Sequence, residues 1–428
     1  MKLGITNRRL LPLAGASAVL ALALSGCSGS AAGGRASAEG PSVDFGASID
    51  EWNAAFEEVD GSWELVWETA SAAASSSGAH TQELADLMEE RSGGKVTVEV
   101  AFQQAISGKP QDGDEALEDG RTDIHLLVPF QQPSDFPVTG QIFPELTIQR
   151  PGGYLSGYLA ALGATNEVAW GLPEMHEEFE DRGLTVMAPM PTQPAASLAC
   201  SKPVESLADL KGKQIRVGPA ATYGQIEALG AVPVSVVFAD LYESLQRGIV
   251  DCMVIGTSTM ALIPGMTELA PYIYTPSGAS FASTTGIDIV GSDYEEWPLP
   301  VRQLVYDTLA EYTLTTVSET FLHLTEQHKQ AVAAGGGFFG LDDDVNEALA
   351  AYNKTVQDGW SSSPHLENGA AFSEELTASL EEWNDLMVEA GFSDADFSDY
   401  ENWLKESPDW ESFNEVYYER VHIPNRPS

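Results

Sequence analysis

Basic residues are scarce in this chain: 21 lysines and arginines stand against 64 aspartates and glutamates, a formal net charge of −43. Such a balance disfavours a nucleic-acid partner, whose phosphates would meet a field of their own sign. The same excess makes the compact chain repel itself, a penalty that salt screens, so an exported protein working in salty surroundings is expected. Cysteine is scarce too. Only Cys27, Cys200 and Cys252 occur, with no CxxC pair among them, and HExxH, GxSxG and the phosphate-loop lysine motif are all missing. His323 and His328 lie five apart on an expected helix and so point to different faces, which argues against a shared metal. The glycine triplet 335–337 has no GK[ST] behind it and reads as a turn. Asp342, Asp343 and Asp344 lack the loop glycine and closing glutamate of a calcium loop and read as an acidic helix start. No metal, cofactor or catalytic residue is expected.

The one long apolar run, residues 10–24, follows Lys2, Arg8 and Arg9 and is too short to span a bilayer comfortably; residues 1–26 therefore read as an export signal. Leu24-Ser25-Gly26-Cys27 resembles the bacterial lipoprotein signal, which implies lipidation of Cys27 and a membrane anchor. Residues 27–61 begin with a stretch rich in serine, glycine and alanine and are expected to form a flexible tether. A short amphipathic helix over 49–59 is compatible with the pattern, but the folded body is expected to begin near Ser62. From there, the remaining length and an overall 43% hydrophobic content provide for two domains of ordinary size plus an extension.

The most structured pattern lies in residues 205–255. A turn over 208–210 ends at Gly212, and 214–217 alternates like a strand, placing Arg216 near its carboxyl end. Helical spacing over 222–229 stops at Gly230, 232–237 is β-branched again with Phe238 behind it, and Asp240 caps a helix over 241–246. A strand over 249–255 follows. Strand and helix alternating in this way imply parallel pairs with crossover helices, and such sheets bind ligands beyond the carboxyl ends of their strands. Arg216, Phe238 and Ile255 all fall there. The flanking chain adds expected strands over 63–67, 95–102, 120–127, 184–188 and 286–290, and a long helix over 298–332.

The pieces SLADLKGKQIRV, EALGAVPV and FADLYESLQRGIVD, in this order and at this spacing, resemble the C4-dicarboxylate-binding solute-binding proteins of tripartite ATP-independent periplasmic (TRAP) transporters. The resemblance implies an α/β, two-lobed, periplasmic-binding-protein-like fold with a ligand cleft between the lobes and a long helix crossing both. Lobe I would take residues 62–191 and 282–320, lobe II 192–281 and 321–372, and 373–428 would form an aromatic-rich C-terminal extension. It also implies a small organic carboxylate as ligand, integral membrane subunits as partners and a place outside the cell membrane.

By the same resemblance Arg216 matches the arginine that grips the ligand carboxylate, for which a planar guanidinium with paired donors is suited. The competing account pairs it with one of the many acids of this chain. Phe238 matches an aromatic beside the ligand or is a core residue. Ile255 stands where many relatives carry an asparagine, and no match to the second arginine of some relatives occurs near Pro194. Those departures favour a monocarboxylate or zwitterion over a dicarboxylate. Glu68 and Trp67 close the first strand, where lobe I would face the cleft. Glu68 either binds a cationic group or is exposed, and Trp67 either stacks on the ligand or covers the core. Cys200 and Cys252 lie on expected strands of one lobe, and a disulfide and two buried thiols both remain open. An ATP-driven importer's receptor, a surface hydrolase and an adhesive lipoprotein are the rival functions.

Overall fold

The computed structural model describes residues 40–428 apart from 149–152, 191–195, 205, 219, 237–239, 257–258, 261–262, 284–285, 393–398 and 406–409. Two sheets carry the fold. The first, in the order β2-β1-β3-β10-β4, joins β1 (Trp63–Glu68), β2 (Val96–Ala101), β3 (Ile124–Leu127), β4 (Thr185–Ala188) and β10 (Ile287–Val290). The second, in the order β11-β9-β5-β8-β6-β7, joins β5 (Ala196–Cys200), β6 (Gln214–Val217), β7 (Val232–Ser235), β8 (Cys252–Gly256), β9 (Tyr272–Thr275) and β11 (Gly337–Gly340).

In each sheet the parallel strands follow from the alternation of strand and helix. β1 runs parallel to β2 and β3, while the late-returning β10 enters antiparallel between β3 and β4. β6 likewise runs parallel to β7 and β8, with β5 antiparallel to β8 and β9. Local pattern does not announce β9 and β11. Each is four residues long, and β11 reads GFFG, too short and too glycine-rich to show a period of two.

Five helices on the sheet-bearing part matter here: α1 (Ile49–Glu57), α2 (Ser76–Arg91), α3 (Tyr154–Trp170), α4 (Ala220–Ala228) and α5 (Leu299–Ala333). α1 corrects the expectation of a tether through residue 61. Ser48 Oγ accepts from the Glu51 N–H and Glu51 Oε2 accepts from the Ser48 N–H, a reciprocal cap that fixes the first turn. Trp52 and Phe56, one turn apart, are then both buried beside Leu65 and Val301. α5 spans 35 residues. Its first half, with Val301, Leu304 and Val305, packs into the core under the first sheet, and its second half, with Phe321 and Leu324, shares a core with Ile273 and Phe338 of the second sheet.

The chain continues through α6 (Asp343–Gly359), α7 (Gly369–Glu389) and α8 (Trp410–Tyr417). α7 lies against α3, with fully buried Trp383 over Gly163. Further on, Arg426 grips Asp307 of α5 through two bonds of 2.8 Å, and His422 lies 3.0 Å from the same carboxylate. The C-terminal segment is thus keyed to the fold by apolar burial and by a buried charge-assisted fork. No helix among the described residues is long and apolar enough to cross a membrane.

Candidate functional site

β6 places its side chains on alternate faces. Ile215 and Val217 enter the apolar core beneath the second sheet, beside Cys200, Cys252 and Val254, which leaves Arg216 on the other face. Its Nε donates to the Val236 carbonyl at 3.3 Å and its Nη1 to the Val254 carbonyl at 3.4 Å. Both carbonyls lie toward the carboxyl ends of the parallel strands, the edge at which ligands bind such sheets. Among the described residues no carboxylate pairs with Arg216. Burial therefore pushes the guanidinium below its usual range, offset only by Tyr223. Two long bonds to neutral carbonyls hold this cation in place without neutralising it.

A cavity of ≈ 380 Å³ is walled by Phe130, Pro133, Ser134, Gln141, Pro144, Glu145 and, in the first turn of α4, Ala221; Arg216 is not among its lining residues. Ala221 follows Arg216 by five residues, so the strand, the turn after it and the helix start all serve one edge. Nothing in the sequence around Glu145 singles it out. Its Oε2 accepts from Trp360 Nε1 at 2.6 Å, across 215 residues of chain, a pairing that no local pattern announces. A second hollow of ≈ 470 Å³ lies between Leu172, Glu174 and Phe372, but no basic residue lines it. The ≈ 380 Å³ cavity likewise has no basic residue in its lining.

The structure separates the other expected site residues. Glu68, expected to bind a cationic group or to be exposed, is fully buried. Its carboxylate accepts from the Ile106 N–H at 2.6 Å and the Ser107 N–H at 3.1 Å, and lies 3.1 Å from His125 Nε2. Burial alone would raise its carboxyl, yet the bonds from His125, Ile106 and Ser107 outweigh that and hold it at about 2. Glu68 is therefore an internal anchor for the turn after β2, where Gln103 and Gln104 take left-handed φ of 57° and 55°. Trp67 is 4% exposed and packs edge-on to Tyr312 of α5 at 5.7 Å; it covers the core. Ile255 is buried in β8 beside Met253 and Ile273, next to the carbonyl that receives Arg216. Phe238 and Cys27 lie outside the described residues.

Cys200 and Cys252 stand directly opposite each other on β5 and β8, with Cα atoms 4.1 Å apart, and are joined in a disulfide. The bridge clamps the sheet from the face opposite Arg216. Among the described residues no group of three or more histidine, cysteine or acidic side chains is placed to hold a metal.

Two α/β sheets joined by a long shared helix, with an arginine at the carboxyl edge of one of them that no carboxylate of the described residues pairs, define the architecture of a two-lobed solute-binding protein. The chain belongs to the DctP family, bacterial extracellular solute-binding protein, family 7, whose model matches residues 68–359. Among solved structures, a marine metagenome TRAP solute-binding protein specific for aromatic acid ligands, crystallised with 3-hydroxybenzoate, superposes with a TM-score of 0.61. It is 19% identical, and the match covers 76% of this chain and 99% of that one. A Bordetella pertussis extracytoplasmic solute receptor binding pyroglutamic acid gives 0.54 at 18% identity, over 75% and 99% of the two chains. A TRAP periplasmic protein from Pseudoalteromonas atlantica with bound sodium and pyruvate gives 0.57 at 15% identity, over 77% and 97%. At these identities the likeness is one of fold. No curated protein matches the chain.

Proposed function

We propose that this protein captures a small organic carboxylate, a monocarboxylate or zwitterion rather than a dicarboxylate, and delivers it to the membrane subunits of a TRAP-type transporter driven by an ion gradient. The observation that carries this reading is Arg216: a half-buried guanidinium at a strand's carboxyl edge, bonded among the described residues only to two carbonyls at 3.3 and 3.4 Å. A carboxylate arriving there would gain two charge-assisted bonds and relieve a desolvated cation. The apolar surroundings, Ile255 included, suit a ligand with one acid group and an apolar body. The acids bound by the three structural neighbours, 3-hydroxybenzoate, pyroglutamate and pyruvate, each carry a single carboxylate.

The working motion is closure of one lobe, residues 62–191 and 282–320, on the other, residues 192–281 and 321–372, about the long helix and the crossing segments. The protein acts outside the cell membrane, held to it by lipid on Cys27. Thermal-shift and calorimetric screening of mono- and dicarboxylates, amino acids and compatible solutes tests the reading, because a ligand that binds only the folded state raises its stability. Arg216→Ala is expected to weaken carboxylate binding by roughly thirtyfold to several thousandfold. Equal shifts in the wild type and this variant would remove Arg216 from the site.

A further inference from the structure

The chain beyond residue 359, where the family-matched stretch ends, touches both halves of the fold. Its far end is fastened to the half built on the first sheet. Arg426 forks onto Asp307, and His422 lies against the same carboxylate. The His422 ring also stacks on Tyr306 at 4.3 Å, and Tyr306 belongs to the core that holds Trp67, Ile124 and Val290 of that sheet. One turn earlier on α5, Gln303 Nε2 donates to the Pro427 carbonyl at 2.8 Å. Gln303, Tyr306 and Asp307 all lie on the first half of α5.

Earlier in the same segment, the chain grips the other half. Tyr400 is fully buried, edge-on to Phe338 of β11 at 5.2 Å and 5.4 Å from the His328 ring on the second half of α5. β11 is an edge strand of the second sheet, paired with β9. Trp403 backs Tyr400 at 5.3 Å, and Trp410 lies 5.4 Å from Phe321, which shares the core of Ile273 and Phe338.

Rings packed to interior density make a contact that is either formed or broken and does not slide. A rotation of one sheet against the other about α5 therefore stays within what both grips allow, or one grip opens. The fork on Asp307 is the firmer, because parting it strands buried charge, whereas parting Tyr400 from Phe338 uncovers apolar rings.

We propose that the C-terminal segment is a brace across the hinge: fastened to Asp307 at one end and latched by Tyr400 on Phe338 at the other, it restrains the rotation of the two sheets, and the Tyr400 latch is the contact that parts when they rotate. The proposal rests on the lobe closure described above and is independent of Arg216 and of the ligand's identity. A latch formed in one arrangement and lost in another biases the two arrangements by its own free energy.

Double electron–electron resonance on the full chain tests the brace, with nitroxides carried on p-acetylphenylalanine so that the cysteines stay untouched. Glu90 of α2 and Gln246, at the end of the helix Leu241–Gln246, are exposed and report between the halves. Glu227 of α4, also exposed, and Gln246 report within the second half. Tyr400→Ala is expected to broaden the distance distribution between the halves and to leave the one within the second half as narrow as in the wild type. Tyr400→Leu, which keeps apolar cover and loses the ring, is expected to do the same should alanine unfold the segment. Distributions between the halves that match the wild type in the folded variants overturn the brace. Equal broadening within the second half also overturns it, since that marks local melting rather than release. Pyruvate, pyroglutamate and 3-hydroxybenzoate serve as probes of closure itself. A wild-type distance between the halves that one of them shifts, with the Tyr400 variants indistinguishable from the wild type, overturns the brace and leaves closure standing. A bound acid that leaves that distance fixed in wild type and variants alike sinks closure and brace together.

Discussion

Two carboxylates of the first sheet show how environment alone sets opposite behaviour. Glu68 is buried among donors, and its carboxyl is held at about 2. Asp288, in β10, is buried with Oδ2 lacking any partner among the described residues, and its carboxyl is pushed up to about 7. The signs of their contributions to stability follow. Glu68 binds its proton less tightly in the folded chain, so its contribution is present above 4.5 and fades as pH falls toward 2. Asp288 holds its proton more tightly when folded, so its contribution is full below 3.8 and is lost as pH rises to about 7. Urea unfolding against pH should therefore show an acid limb that Glu68→Gln flattens and a fall toward neutrality that Asp288→Asn removes. An unaltered profile in both variants would refute the assignment. Neither behaviour is legible in the sequence, where each is one acid among 64.

At the level of elements, the contact between α3 and α7 decides how the C-terminal extension is held. A Cβ on Gly163 would stand 2.3 Å from Trp383 Cε3, a clash against a fully buried ring that has no open side to move into. Gly163→Ala should thus destabilise the fold by about 1–3 kcal/mol, the cost of overpacking, measured as a drop in the urea midpoint with the m-value unchanged. Wild-type stability in that variant would mean that the extension is not docked on α3. The aromatic density of residues 373–428 announces docking, since rings in such numbers need apolar cover. Which face they cover is not announced. Likewise, the capping pattern S-x-x-E at Ser48 is present in the chain, but the burial of Trp52 and Phe56 depends on α5, some 250 residues later, a contact to which local pattern is blind.

For the whole molecule, charge is the main influence on stability beyond packing. A net −43 opposes compaction by self-repulsion, and ion pairs such as Arg420 with Glu167 and Glu382 relieve little of it. Raising the salt shortens the Debye length from about 10 Å at 0.1 M to about 3 Å at 1 M. The thermal midpoint should accordingly climb over that range, read by circular dichroism in sodium chloride. A protein most stable in dilute buffer would contradict the reading.

Local rules were enough for the alternation of strand and helix, the position of Arg216 at a strand's carboxyl edge and the long helix, because periodicity and turn chemistry act within a few residues; the two-lobed class came from the resemblance of residues 205–255 to a known family. Tertiary structure alone decided that Trp67 and Glu68 turn inward, that Cys200 meets Cys252, and that Glu145 finds Trp360 across the cavity wall. A side chain's partner depends on which distant surfaces pack together, and the free energy that selects those surfaces is collective, so it is written in no single stretch of the chain.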